Sequence, residues 1–183
     1  MPLHIADYDP SWPSQAAEAI AELAEAVPGL CLTAEHVGST SVPGLAAKPI
    51  IDLMVSVATL DDVTPERVAA LTRLGYRFED VGMPNRLFYF REHTAGASAG
   101  ERSHHLHIVT ADSWDTRNER LFRDYLRANA EAAAEYEAVK RRLAAETDDG
   151  FLYTKAKTEV IQRGVDAERT RRGLPLVTVW EEV

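Results

Sequence analysis

The sequence predicts an α/β (α+β) fold, a mixed and mostly antiparallel sheet of about five strands packed with helices. Two observations carry this. Between residues 30 and 110, five short apolar or alternating segments are separated by turns rich in Gly, Pro, Asn and Asp, which is the pattern of strands. One helical stretch precedes them, and from Ser113 onward apolar residues recur at helical spacing almost to the end.

The elements follow in order. Tyr8-Asp9-Pro10-Ser11-Trp12-Pro13 is a turn, with Ser11 as a helix N-cap and Pro13 in the first helical turn. Ala16, Ile20, Leu23, Ala24 and Val27 then keep helical spacing until Pro28-Gly29 ends the helix. The first strand is placed at Leu30–Val37 and the second at Pro49–Val57. In the second, Leu53, Val55 and Val57 share one face while Asp52 and Met54 share the other. Thr64-Pro65 reads as N-cap and N1 of a short helix to Leu74, closed by Gly75. Strands at Tyr76–Asp80 and Arg86–Arg91 are joined by the turn Val81–Asn85, and a polar segment, His93–Arg102, leads to a fifth strand at His104–Thr110. Helices are expected from Ser113 to Ala128, over Ala130–Leu143, and, after the break Thr147–Gly150, over Tyr153–Arg172. The apolar tail Leu174–Val183 reads as a short strand or a packed extension. No linker divides the chain, so residues 1–183 read as a single domain.

Composition narrows the function. Hydrophobic residues make up 45% and charged residues 27%, as in soluble globular proteins. The net charge of −9 argues against a nucleic acid polymer as partner, because duplex binders carry basic surfaces. Cys31 is the one cysteine, which rules out an intrachain disulfide, and its apolar setting predicts a buried, inert thiol. With no secretory leader pattern and no apolar run of membrane-spanning length, the expectation is a cytoplasmic protein with no membrane partner.

The stretch His36–Val57 carries the sharpest chemical signal. Gly38-Ser39-Thr40-Ser41 is a small-residue turn whose backbone N–H groups suit a phosphate, although such a turn is also ordinary connecting chemistry. Asp52 then sits where strand alternation would put Val or Ile, and a carboxylate there needs a cation, a metal or hydrogen-bond donors. Lys48 lies close by in sequence and can neutralise a phosphate. In the fifth strand His105 and His107 share a face, so two imidazoles can converge on a metal or a phosphate. Arg86 has the parity of Phe88 and Phe90, whereas Arg91 lies on the opposite face. Tyr153 and Lys157, four apart on the expected last helix, can hold a base or a phosphate, against the plainer reading of a packed Tyr beside a solvated Lys.

The run from Glu35-His36-Val37-Gly38-Ser39 through Thr40-Ser41-Val42-Pro43-Gly44-Leu45, followed by Lys48-Pro49-Ile50-Ile51-Asp52, resembles the GrpB-like family. That family is a branch of the nucleotidyltransferase superfamily. The Tyr8/Trp12 opening, the His-x-His pair, Phe122-Arg123-Asp124-Tyr125-Leu126-Arg127 and Tyr153-Thr154-Lys155-Ala156-Lys157 extend the resemblance over nearly the whole chain.

The resemblance implies a nucleotidyltransferase-like topology and a metal-dependent transfer from a nucleoside triphosphate to a small acceptor. The expected site then has Asp52 and Lys48 as catalytic groups and Gly38, Ser39, Thr40, Ser41, Arg86, Tyr153 and Lys157 on the nucleotide. Asp52, His105 and His107 are the expected ligands of a divalent metal, Mg or Mn or else Zn, and by residue type this carboxylate–imidazole set suits Mn(II), Zn(II) or Fe(II) better than Mg(II). The superfamily places a second carboxylate two residues after the first, where this chain has Met54, a poor ligand for a hard cation. Two other readings therefore stay open: a catalytically inactive nucleotide- or anion-binding module, and a metal-dependent phosphohydrolase.

Overall fold

The apolar residues expected to make the second strand form an interior strand of the sheet. In the computed structural model, which describes residues 4–83, 85–96, 98–147 and 149–179 (all but the side chains at 150 and 151), β1 is Thr33–Val37 and β2 is Ile51–Val57. Every residue of β2 except Asp52 is buried, as a central strand covered on both faces must be. Two-residue β3 (Arg77–Phe78), β4 (Arg86–Glu92) and β5 (Arg102–Thr110) complete a sheet of order β1-β2-β5-β4-β3. The β2–β5 pair is parallel and the other three are antiparallel. The mixed, mostly antiparallel sheet predicted from the sequence is thus present, and no described helix is long and apolar enough to cross a membrane.

The described residues fall into two compact units, each discontinuous in sequence. The sheet unit comprises residues 11–37 and 50–115. Its first helix, α1 (Trp12–Ala26), buries Trp12, Ala16, Ala19 and Leu23 and packs on β1 and β2. Its second, α2 (Pro65–Arg73), starts after Thr64 with Pro at N1, as expected. The helical unit comprises 4–10, 38–49 and 116–179 and contains α3 (Asn118–Ala128), α4 (Ala130–Glu146), α5 (Gly150–Ala156) and α6 (Thr158–Arg172). Inside it α3 and α6 approach closely at Gly164, where an added Cβ would lie 2.7 Å from the Phe122 ring and 2.8 Å from that of Tyr125.

Several boundaries differ from expectation. The helix expected from Ser113 is among them: it opens as a 3-10 turn and becomes α-helical only at Asn118. Four other departures have an identifiable local setting. The first strand starts at Thr33, because Leu30 N–H closes a turn onto Val27 O at 3.2 Å. Cys31 is therefore outside the strand and only half-buried, though burial still raises its thiol pKa and keeps it protonated. Tyr76 lies past α2 and closes its C-terminal turn, its N–H donating to Leu71 O at 3.0 Å, which leaves Arg77–Phe78 as the edge strand. The last helix is two helices: the Thr158 hydroxyl donates to Lys155 O at 2.5 Å, and the chain breaks at Lys157. The tail through Val179 is extended without pairing as a strand and is pinned by Gln162, which donates to Val177 O and accepts from Val179 N–H. Its end, 180–183, and the single residues Pro84, Ala97 and Asp148 in three expected turns lie outside the described residues.

Candidate functional site

In the helical unit the segment after β1 is shaped by Gly38. Its φ of 70° and ψ of −174° lie in a region that only glycine occupies without strain. A short 3-10 turn, Ser39–Ser41, follows. Thr40 and Ser41 are buried, and the Ser41 hydroxyl donates to Gly38 O at 2.6 Å. Ser41 therefore serves the turn, and neither of these two expected phosphate ligands presents an open hydroxyl.

Helices α3 and α4 grip this segment along its length. Arg127 donates to Ser41 O from Nε at 3.1 Å and Nη2 at 2.7 Å. Glu137 accepts from Ala46 N–H at 3.0 Å, while the Lys140 ammonium donates to Ala46 O. Ala47 also exchanges backbone hydrogen bonds with Ala6 at 2.8 and 2.9 Å. Lys48 thus leaves a tightly held stretch of backbone.

The Lys48 Nζ lies over the Tyr153 ring, 4.1 Å from its centroid, and the Lys157 Nζ lies 4.4 Å from the same centroid. Cations favour the ring face, but two on one ring also repel each other. Burial first, and then the Lys157 charge, bring the Lys48 pKa down to about 8. Tyr153 is 2% exposed, and its phenol pKa is raised by burial. It is a platform for ammonium groups and offers no open face to a base, contrary to one half of the sequence expectation. Lys157 reaches it from the break between α5 and α6 rather than from a continuous helix face.

Lys140 is the residue that sequence reading missed. It is 2% exposed, its Nζ sits 4.8 Å from the Tyr136 ring centroid, and burial followed by the Lys157 charge lowers its pKa to about 7. The available signal was compositional. The chain has four lysines against sixteen arginines, and all four lie in this unit. Lysine, unlike arginine, can shed its proton when crowded or buried. The folded state releases the Lys140 proton near pH 7 and the unfolded state near 10.5, so the cost of a buried cation is present below 7 and is relieved as pH rises. Urea titrations from pH 7 to 9 should show stability rising with pH more steeply in the wild type than in Lys140→Met. The slope difference should be up to about 1.4 kcal/mol per pH unit; equal slopes would refute a neutral buried Lys140.

In the sheet unit the polar residues form a strip across three strands. Register pairs Val37 with Asp52 and Glu35 with Met54 between β1 and β2, and Asp52 with His105 and Met54 with His107 between β2 and β5. Phe88 opposes His107 in β4, and its ring centroid is 5.1 Å from that of His105 and 5.0 Å from that of His107. His105 Nδ1 is 2.9 Å from Asp52 Oδ1, the geometry of an imidazole N–H donating to a carboxylate. Burial would raise the Asp52 pKa, but this hydrogen bond and the charges of His105, His107 and His36 hold it below the usual carboxylate range. Arg86 is 9% exposed, and its Nη1 lies 3.3 Å from His107 Nδ1, which must accept since arginine only donates. Glu35, which sequence reading passed over, shares the face of Asp52.

These contacts bear on the expected metal. His107 commits one lone pair to Arg86, His105 Nε2 is buried without a hydrogen-bond partner among the described residues, and Asp52 Oδ1 is engaged by His105. Met54 is wholly buried with Val37, Val109 and Trp114. No three His, Cys, Asp or Glu side chains among the described residues are gathered as ligands for one ion. The residues fit an ion that brings most of its own ligands to a single carboxylate, and do not fit a protein-built cage.

The profile of the GrpB protein family matches residues 2–166. This chain belongs to the GrpB family. A UPF0157 protein of Pseudomonas aeruginosa is 41% identical over 159 residues, 85% of this chain and 63% of that protein, so the chain spans less than two thirds of that relative. The crystal structure of the conserved protein GrpB from Enterococcus faecalis matches with a TM-score of 0.76 and 32% identity, over 93% of this chain and 99% of that one. Cid1 poly(U) polymerase, solved with Mg and 3′-dATP bound, matches with a TM-score of 0.51 and 13% identity over 77% of this chain and 43% of its own. At that identity the likeness is one of fold, and this GrpB protein has a nucleotidyltransferase-like fold.

Proposed function

We propose that this GrpB-family protein binds a nucleoside triphosphate and passes its nucleotidyl group to a small acceptor. The observation that carries the binding half is the pair of ammonium groups, Lys48 and Lys157, held on one tyrosine ring. Two like charges in partial burial repel until an anion of several charges comes between them, and a polyphosphate meets that need. The backbone at Gly38 and Ser39, in the same unit, is the further phosphate contact. The nucleotidyltransferase-like fold supports the choice of a nucleotide over a simple anion, since a protein of that fold holds Mg and 3′-dATP.

In the sheet unit the same reading gives Asp52 to a divalent ion and His105 the task of orienting the carboxylate. Such an ion supplies charge neutralisation at phosphate oxygens. Asp52 is ionised at neutral pH, as that role requires. The buried Met54 favours a second reading, binding without transfer.

The two are separated by incubating the protein with labelled nucleoside triphosphates, Mg(II) or Mn(II), and a panel of small hydroxyl and amine acceptors. Transfer gives pyrophosphate and a labelled product, both lost in Asp52→Asn while triphosphate binding remains. Binding with no product from any acceptor would leave the second reading in its place.

A further inference from the structure

Three of the four lysines of the chain influence one another electrostatically in the helical unit, and one of them combines two properties. Lys48 is half-buried, reachable from solvent, and fixed at the end of a clamped backbone segment. Its amine shares the Tyr153 ring with the Lys157 ammonium. An amine whose neighbour is a cation is readily neutral, and a neutral amine is a nucleophile. The neighbouring cation is at the same time a handle for a phosphoryl group.

We propose that Lys48 is a site of acylation by acyl phosphates, the mixed anhydrides of a small carboxylic acid and phosphoric acid, with Lys157 holding the phosphoryl end. The role of Lys157 rests on the anion-binding reading above. In the reaction the lone pair on Lys48 Nζ attacks the acyl carbon and a C–N bond forms. The bond from that carbon to the phosphate oxygen breaks, inorganic phosphate leaves, and the extra proton on nitrogen passes to water. No oxidant or reductant is involved. The product is a neutral amide, so one of the two cations on the ring is lost and the unit's grip on polyanions weakens.

The groups facing Lys48 and its neighbours set the conditions. Tyr153 comes from α5, Lys157 from the α5–α6 break, and Tyr136, Glu137 and Lys140 from α4. Desolvation and the Lys157 charge bring the Lys48 amine to about 8, so acylation should accelerate from pH 7 to 8 and then level off. The exposed Lys155 is the internal reference.

The test is a time course of the full chain with acetyl phosphate, followed by mass spectrometry of peptides covering the four lysines. Lys48 should be acetylated about tenfold faster than Lys155 or more, and inorganic phosphate should protect it. Lys157→Met should slow the Lys48 reaction with acetyl phosphate more than that with N-hydroxysuccinimidyl acetate, which has no phosphate and senses only the higher Lys48 pKa left by removal of the Lys157 charge. Acetylation of Lys48 no faster than Lys155 overturns the proposal even if triphosphates bind. Equal slowing by Lys157→Met with both reagents overturns the role of Lys157. Failure of triphosphate binding alongside fast, phosphate-protected acetylation at Lys48 would overturn the nucleotide reading and leave this one standing.

Discussion

Lys48→Met and Lys157→Met should each weaken nucleoside triphosphate binding by about 10- to 150-fold, the equivalent of losing a charged hydrogen bond of roughly 1.5–3 kcal/mol. Methionine keeps the length and the packing of the stem and removes only the charge. Both ammonium groups lie on the Tyr153 ring at 4.1 and 4.4 Å, so either substitution leaves a lone cation where the wild type has a pair. Removing Lys157 also relieves the repulsion that lowers the Lys48 pKa. In Lys157→Met the Lys48 amine should then titrate higher, a change readable by NMR of the lysine ε-methylenes. Lys155→Met is the control, since Lys155 is exposed; its effect should be less than about twofold, as for other exposed charges. If all three variants bind alike, the paired lysines are not the phosphate grip.

Met54→Asp, which would restore the two-carboxylate pattern of the superfamily, should destabilise the protein by about 3–5 kcal/mol. Met54 is wholly buried among Val37, Val109 and Trp114, and nothing in that cluster can receive a second negative charge. The loss is a large share of the 5–15 kcal/mol that holds a typical domain folded. Met54→Leu, which conserves volume and polarity, should cost less than about 1.5 kcal/mol. Urea denaturation of the two variants beside the wild type decides the matter. A stable Met54→Asp protein would mean that the strip around Asp52 is built to accept a second acid after all.

These two positions also show what could be read from residues alone. The strand carrying Asp52 was legible because Ile51, Leu53, Val55 and Val57 alternate and are buried, and the Gly38 turn because the left-handed backbone there suits glycine alone. Strand parity put Asp52 and Met54 on one face and His105 and His107 on one face, which the register confirms. Parity does not say what a face meets. That Met54 would be enclosed by Trp114, or that His107 would accept from Arg86, depends on tertiary packing.

Boundaries failed where two local structures competed for the same backbone group. Tyr76 has strand propensity, yet its N–H finishes α2 by bonding Leu71 O. Lys157 sits at helical spacing from Tyr153, yet the Thr158 hydroxyl takes the Lys155 carbonyl and the helix breaks. Lys140 escaped because it lies 94 residues from Ala46, the residue whose carbonyl it holds. Long-range contacts of that kind leave no periodicity. The scarcity of lysine beside abundant arginine was the one trace of it in the sequence.

The most direct measurement is a calorimetric titration of the wild-type chain with the four common nucleoside triphosphates, with and without Mg(II), repeated on Lys48→Met and Lys157→Met. The expected result is saturable one-to-one binding of at least one triphosphate, weakened in both variants. Absence of binding to all four, or affinities unchanged by loss of either lysine, would contradict the assignment of a triphosphate to the lysine pair on Tyr153.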